Sequence, residues 1–124
     1  MTLDELRLTI LQNPTAWSAD QPLSAEVTIP PNFLGFQGHF PNQPILPGFL
    51  HLQLALAVLR LGVREMGSLA GVPVAKFHQP ILPGTRIVID LWPGAPSQIC
   101  GRLHTGDQTL STFELEFSAP SSRQ

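Results

Sequence analysis

The segment that most restricts this chain is the apolar run from Phe49 to Met66, introduced by Pro47-Gly48. Proline suits a first helical position, where its missing N–H costs nothing, and Gly48 lets a neighbour approach the helix start closely. On a helical wheel Gln53, Ala57, Arg60 and Arg64 form one narrow stripe, while Leu50, Leu52, Leu54, Leu59, Leu61 and Val63 cover most of the remainder. Such a helix, expected to run to about Met66 before Gly67-Ser68, has to be enclosed nearly all round, and a sheet wrapped about it is the simplest enclosure. His51, Gln53, Arg60 and Arg64 interrupt the run, so it reads as a core helix and not a membrane span.

The rest of the chain supplies the strands. Leu23, Ala25, Val27 and Ile29 alternate with polar residues until Pro30-Pro31 ends the pattern. Short strands are expected at 71–77 and 85–92, and Pro93-Gly94-Ala95-Pro96 turns the chain. Segments 97–104 and 108–118 then pair across Gly106-Asp107 in an antiparallel meander. Before the first strand, Thr2 and Glu5 fit a helix capping box, whereas Leu6, Leu8 and Ile10 alternate as a strand would; both readings stay open. At 124 residues the chain is expected to be one domain, 1–124, with an N-terminal segment and loop over 1–22 and a loose tail over 119–124. Gln43-Pro44-Ile45-Leu46-Pro47-Gly48 recurs letter for letter as 79–84, opening a helix the first time and a strand the second, which indicates shared turn chemistry and not duplication.

Charge narrows the partners. Charged residues make up 13% of the chain, against roughly 25% in an average globular protein, which points to a surface covered by a partner, most simply a second copy. Seven scattered Lys and Arg with a net charge of −2 argue against nucleic acid. The lone Cys100 and the spacing of His39, His51, His78 and His104 match no metal pattern, and no cofactor motif is present. An acidic start, Asp4-Glu5, is unlike a signal peptide, so a cytoplasmic location is expected.

Strand, loop, long helix and antiparallel strands, in that order, give an α+β chain with the layout of the hot-dog fold. Gly38-His39-Phe40-Pro41 with Pro44 and Pro47-Gly48 resembles the active-site signature of the 3-hydroxyacyl-[acyl-carrier-protein] dehydratases, the FabA/FabZ-like group, especially the shorter dehydratase-like proteins of aryl-polyene gene clusters. Lys76-Phe77 with Pro80 and Pro83-Gly84 is similar to a second stretch of that group, so the resemblance covers about Phe36 to Leu91. It implies a homodimer, or a heterodimer with a related dehydratase, acting on thioesters of acyl carrier protein or coenzyme A at the subunit interface. The acyl chain would lie in a tunnel beside the helix, with Phe36, Phe40, Pro47 and Phe49 as substrate-binding residues.

By the same resemblance His39 is the base that removes the proton alpha to the thioester carbonyl, for which an imidazole has a suitable pKa. The Gly48 N–H, at the positive end of the helix, would hold the carbonyl oxygen as it gains charge. Gln53 departs from the pattern, because these dehydratases carry there an Asp or Glu that serves the other subunit's leaving hydroxyl. An amide can bind a hydroxyl but cannot deliver a proton at neutral pH. Three functions follow: dehydration with His39 handling both protons, enoyl isomerisation, or a non-catalytic subunit beside an active relative. A thioesterase would need a water-activating carboxylate near the helix, and none is obvious there. His51, two positions from Gln53, falls on the other side of the helix and is expected in packing or a dimer contact; His78 and His104 are expected at the surface or at strand edges, and Cys100 as a small buried hydrophobe.

Overall fold

The structure, a computed structural model, describes residues 5–31, 46, 48–63 and 67–118. Its strands are β1 (Thr9–Gln12), β2 (Leu23–Thr28), β3 (Leu69–Phe77), β4 (Arg86–Pro93), β5 (Gln98–Thr105) and β6 (Gln108–Phe117), and the helix is α1 (Gly48–Gly62). All six strands join one antiparallel sheet in the order β1-β2-β4-β5-β6-β3. The segment whose sequence was open between helix and strand is thus strand β1, paired to β2 through Thr9–Glu26 and Ile10–Ala25.

The period-two pattern does the main work. Register lines up Ala25, Ile89, Leu103, Ser111 and Phe77 in one row across five strands, and Leu23, Leu91, Gly101, Phe113 and Ala75 in the next. Ala25, Ile89, Leu103, Leu23, Leu91 and Phe113 from these rows are buried. Helix α1 contributes His51, Leu54, Ala55, Val58 and Leu59 to the interior, the i, i+3, i+4, i+7 spacing of a single stripe. On the opposite sheet face lies a polar row, Ser24, Asp90, Arg102, Thr112 and Lys76. One residue of register slip would exchange these two faces, so burial of the apolar rows specifies the pairing.

The helix is less enclosed, and shorter, than its composition implies. Phe49 is 61% and Leu61 60% exposed, and Gln53 and Arg60 are exposed as well, so the sheet covers one side only. It ends at Gly62 and not near Met66. Gly62 continues the buried stripe, and a Cβ there would sit 2.5 Å from Leu23 Cδ2. The same tight approach that glycine permits also brings the weakest helix former after proline to the end of the helix. The two copies of the repeated hexapeptide touch: Leu46 N–H donates to Ile81 O at 2.9 Å, fixing the chain ahead of the helix against the loop ahead of β4. Gly48 begins the helix, whereas Gly84 adopts φ 83°, a left-handed turn that non-glycine residues rarely tolerate.

Gly101 is the position where the sheet accepts the Phe113 ring. A Cβ there would lie 2.3 Å from Phe113 Cε1 and 2.8 Å from Leu91 Cδ2. Gly101→Ala is therefore expected to lower stability by about 1–3 kcal/mol in urea unfolding, as overpacked cores do. A loss under about 0.5 kcal/mol, the scale of an ordinary surface change, would contradict this packing.

Candidate active site

The site is assembled at the N-terminal end of α1. Gly48 is the first helical residue, and the first four N–H groups of any helix lack partners within it. The helix has no acidic residue in its first turn, so nothing there competes for those donors as a side-chain anion would. Packed against Gly48 is Phe77, the last residue of β3, whose ring atoms lie 3.1–3.3 Å from where a Gly48 Cβ would be. Any larger residue at 48 has to displace that ring.

One turn further along, His51 points into the sheet and is 2% exposed. Its Nδ1 lies 2.9 Å from the Oγ of Ser111, a residue with no exposed surface. The imidazole meets Phe77 edge to face, with ring centroids 5.1 Å apart and planes at 88°. Register explains the meeting: Ser111 and Phe77 are neighbours in the sheet row that ends under the start of the helix. Burial in these surroundings pulls the His51 pKa down from 6.5 to about 4, because a charged imidazolium would be desolvated there. His51 is neutral at working pH.

Leu46, Gly48, His51, Phe77, His78, Gln79 and Pro80 surround a cavity of about 290 Å³ at this end of the helix. A larger cavity, about 580 Å³, lies at the other end, among Leu56, Leu59, Arg60, Val63, Gly67, Leu69 and Phe117. Among the described residues that line it, Arg60 is the one ionisable side chain. Of these two cavities the smaller is the candidate active site, because it joins helix N–H donors to a buried imidazole.

Of the residues singled out in the sequence, His39, Phe36, Phe40 and Pro47 lie outside the described residues. Gly48 lines the cavity. Gln53 sits on the exposed side of α1 and Phe49 beside it on that side, and neither is among the residues lining the cavity. His78 is exposed just after β3, yet it stands at the cavity rim. Among the described residues no cluster of His, Cys, Asp and Glu is placed to hold a metal ion, and no helix is long and apolar enough to cross a membrane.

The arrangement around Asp90 escapes the sequence because it joins residues of three strands. His104 Nε2 lies 2.9 Å from Asp90 Oδ2, and Ser24 Oγ donates to Asp90 Oδ1 at 2.6 Å, on the face away from the helix. Cys100 is half-buried on that outer face, not in the core, and burial with the nearby Glu114 carboxylate raises its thiol pKa. The Ser111–His51 pair had a legible signal on each side. Ser111 shares the inward parity of Phe113, Leu115 and Phe117, and His51 follows Gly48 by three residues, hence on the same helix face.

Comparison with known proteins gives the chain a family. Residues 15–112 match the ApeI-like family, described as ApeI dehydratase. The chain belongs to that family. A 3-hydroxyacyl-[acyl-carrier-protein] dehydratase FabZ of Pelotomaculum thermopropionicum is 32% identical over 94 residues, covering 67% of each chain. A FabZ of Histophilus somni is 44% identical over 62 residues, a match that spans 44% of this chain and 41% of that relative. Among solved structures, the dehydratase heterocomplex ApeI:P from Xenorhabdus doucetiae superposes with a TM-score of 0.74 at 21% identity, over 89% of this chain and 96% of that one. The fold is the α+β hot-dog, an antiparallel sheet with one central helix, as the sequence led one to expect.

The buried imidazole gives this family member an acid-sensitive core. Well above pH 6.5 His51 is neutral folded and unfolded and adds no pH dependence. Between 6.5 and about 4 the unfolded chain takes a proton that the folded chain refuses, so stability falls as pH falls. The loss amounts to about 3 kcal/mol over that interval. His51→Leu lacks it: urea unfolding at pH 7 and pH 4.5 should show the difference between wild type and variant moving by about 2–3 kcal/mol in the variant's favour at the lower pH. Parallel pH profiles would contradict a neutral buried His51.

Proposed function

We propose that this chain processes acyl thioesters by removing water from a 3-hydroxyacyl thioester carried by acyl carrier protein or coenzyme A. The observation that carries the reading is the Gly48 helix start opening on a cavity with a neutral histidine at its floor. Family membership and the FabZ relatives support the substrate class. The thioester carbonyl is held by the Gly48 N–H, where developing enolate charge is met by the positive end of α1. His39 takes the proton from the α carbon, and the bonding pair forms the new double bond as the C3–O bond breaks. The imidazolium of His39 then gives its proton to the departing oxygen, so water leaves and neutral histidine is restored. Gln53 binds but cannot protonate, and losing a general acid costs about 10² to 10⁴ in rate.

The chain works as a dimer in this reading. Strand β3 is an edge of the sheet and exposes Leu69, Val72 and Phe77, a strand that a second sheet can extend. Phe49, Gln53 and Leu61 on the open side of α1 add further surface for a neighbour. The partner is a second copy or a related dehydratase, and the likeness to a dehydratase heterocomplex supports the latter. A cytoplasmic location accords with the carrier-bound substrate. Gln53 also favours a second reading, in which the chain is an isomerase of enoyl thioesters or a non-catalytic subunit that leaves the chemistry to its relative.

Incubation with 3-hydroxybutyryl-N-acetylcysteamine separates these readings. Dehydration by the wild type, lost in His39→Ala and raised about 10²-fold or more in Gln53→Glu, is the expected result. Full activity in His39→Ala would overturn the mechanism. Activity appearing only in Gln53→Glu supports the non-catalytic subunit, and double-bond migration in a 2-enoyl thioester without gain or loss of water supports the isomerase.

A further inference from the structure

The cavity at Gly48 holds a second polar group beside the helix N–H donors, the His51 imidazole. A 3-hydroxyacyl thioester has two oxygens to place, the carbonyl oxygen and the 3-hydroxyl two carbons away. Gln53 is on the exposed side of the helix and does not line this cavity, so within one chain it is badly placed for the second oxygen. His78 and Gln79 stand at the rim and are exposed. His51 differs from both, being 2% exposed, inside, and three residues beyond Gly48 on the same helix face. Three residues rise about 4.5 Å along a helix, a separation that suits groups bonding to oxygens on the first and third carbons of one acyl chain.

The partner of His51 decides which ring nitrogen faces the ligand. Nδ1 is occupied by Ser111 Oγ at 2.9 Å, and Ser111 is wholly buried, so its hydroxyl has strong reason to keep this bond. Assigning the Ser111 O–H as donor to Nδ1, one of the two directions this contact allows, puts the proton of a neutral imidazole on Nε2, as an N–H donor. Phe77, edge-on to the ring and pressed against Gly48, holds both groups in one frame.

We propose that His51 is a substrate-binding residue of this site, its Nε2–H donating to the 3-hydroxyl oxygen of the acyl chain while Gly48 holds the thioester carbonyl. The inference rests on the acyl-thioester reading above. His51 transfers no proton in it; the residue orients the leaving group, and Ser111 acts through His51 by fixing the tautomer.

The test uses unreactive ligands, the amide isosteres of 3-hydroxybutyryl- and butyryl-N-acetylcysteamine, titrated into the full chain by calorimetry. The wild type should bind the hydroxylated amide about tenfold more tightly than the deoxy one, the worth of one good hydrogen bond. His51→Leu should bind the two equally, with affinity for the deoxy amide kept. In ¹⁵N-histidine spectra of the wild type, which need no variant, the His51 Nε2 resonance should shift with the hydroxylated amide only. A tenfold preference that survives in His51→Leu, or an Nε2 resonance indifferent to the hydroxyl, overturns the proposal. Equal binding of both amides by the wild type overturns it while leaving the thioester site standing. Binding of neither amide overturns the thioester reading and this inference together.

Discussion

The packing of one helix stripe against one sheet face governs the rest of this structure. Leu54, Ala55, Val58 and Leu59 belong to the same buried core as Leu23, Ala25, Ile89, Leu91, Leu103 and Leu115. Each buried Leu, Ile or Val side chain contributes about 1.5–3 kcal/mol, and their positions allow only one register of β2, β4, β5 and β6. That register brings Ser111 and Phe77 side by side, and the helix stripe lowers His51 onto them. The site is therefore a consequence of core packing and not an addition to it.

Much of this was legible in the chain itself. Alternation in Leu23 to Ile29 and in Thr85 to Phe117 marked the central strands, and Pro47-Gly48 marked the helix start, because both patterns report local geometry. The helix end was not legible, since Gly62 stops it where the backbone meets Leu23, a contact between segments far apart in sequence. Enclosure of the helix was overstated for a related reason. Composition says that apolar surface must be covered, but not whether the same chain or another one covers it. The Asp90 cluster joins residues whose neighbourhood only the sheet order creates, whereas the Ser111–His51 pair had a signal in the parity of each partner but not in their meeting.

The buried pair also shows how a fold can place polarity in its interior without instability. A lone serine or histidine in an apolar core would cost a few kcal/mol, whereas the two together satisfy one another. The price is acid sensitivity, because the imidazole can be charged only by leaving its surroundings. At neutral pH it places an uncharged imidazole of fixed orientation beside the helix N-terminus. In the proposed reading, charge is stabilised by backbone and helix and orientation is supplied by a neutral side chain, which suits a reaction in which a thioester oxygen becomes briefly anionic.

The central claim is that acyl thioesters bind at the start of α1, with the carbonyl oxygen on the Gly48 amide. Backbone ¹H–¹⁵N spectra recorded during titration with crotonyl-N-acetylcysteamine test it most directly. The account predicts a downfield Gly48 amide proton as the largest change, accompanied by His51 and Phe77. Changes confined to Leu56, Arg60, Leu69 and Phe117, around the larger cavity at the far end of the helix, would contradict it.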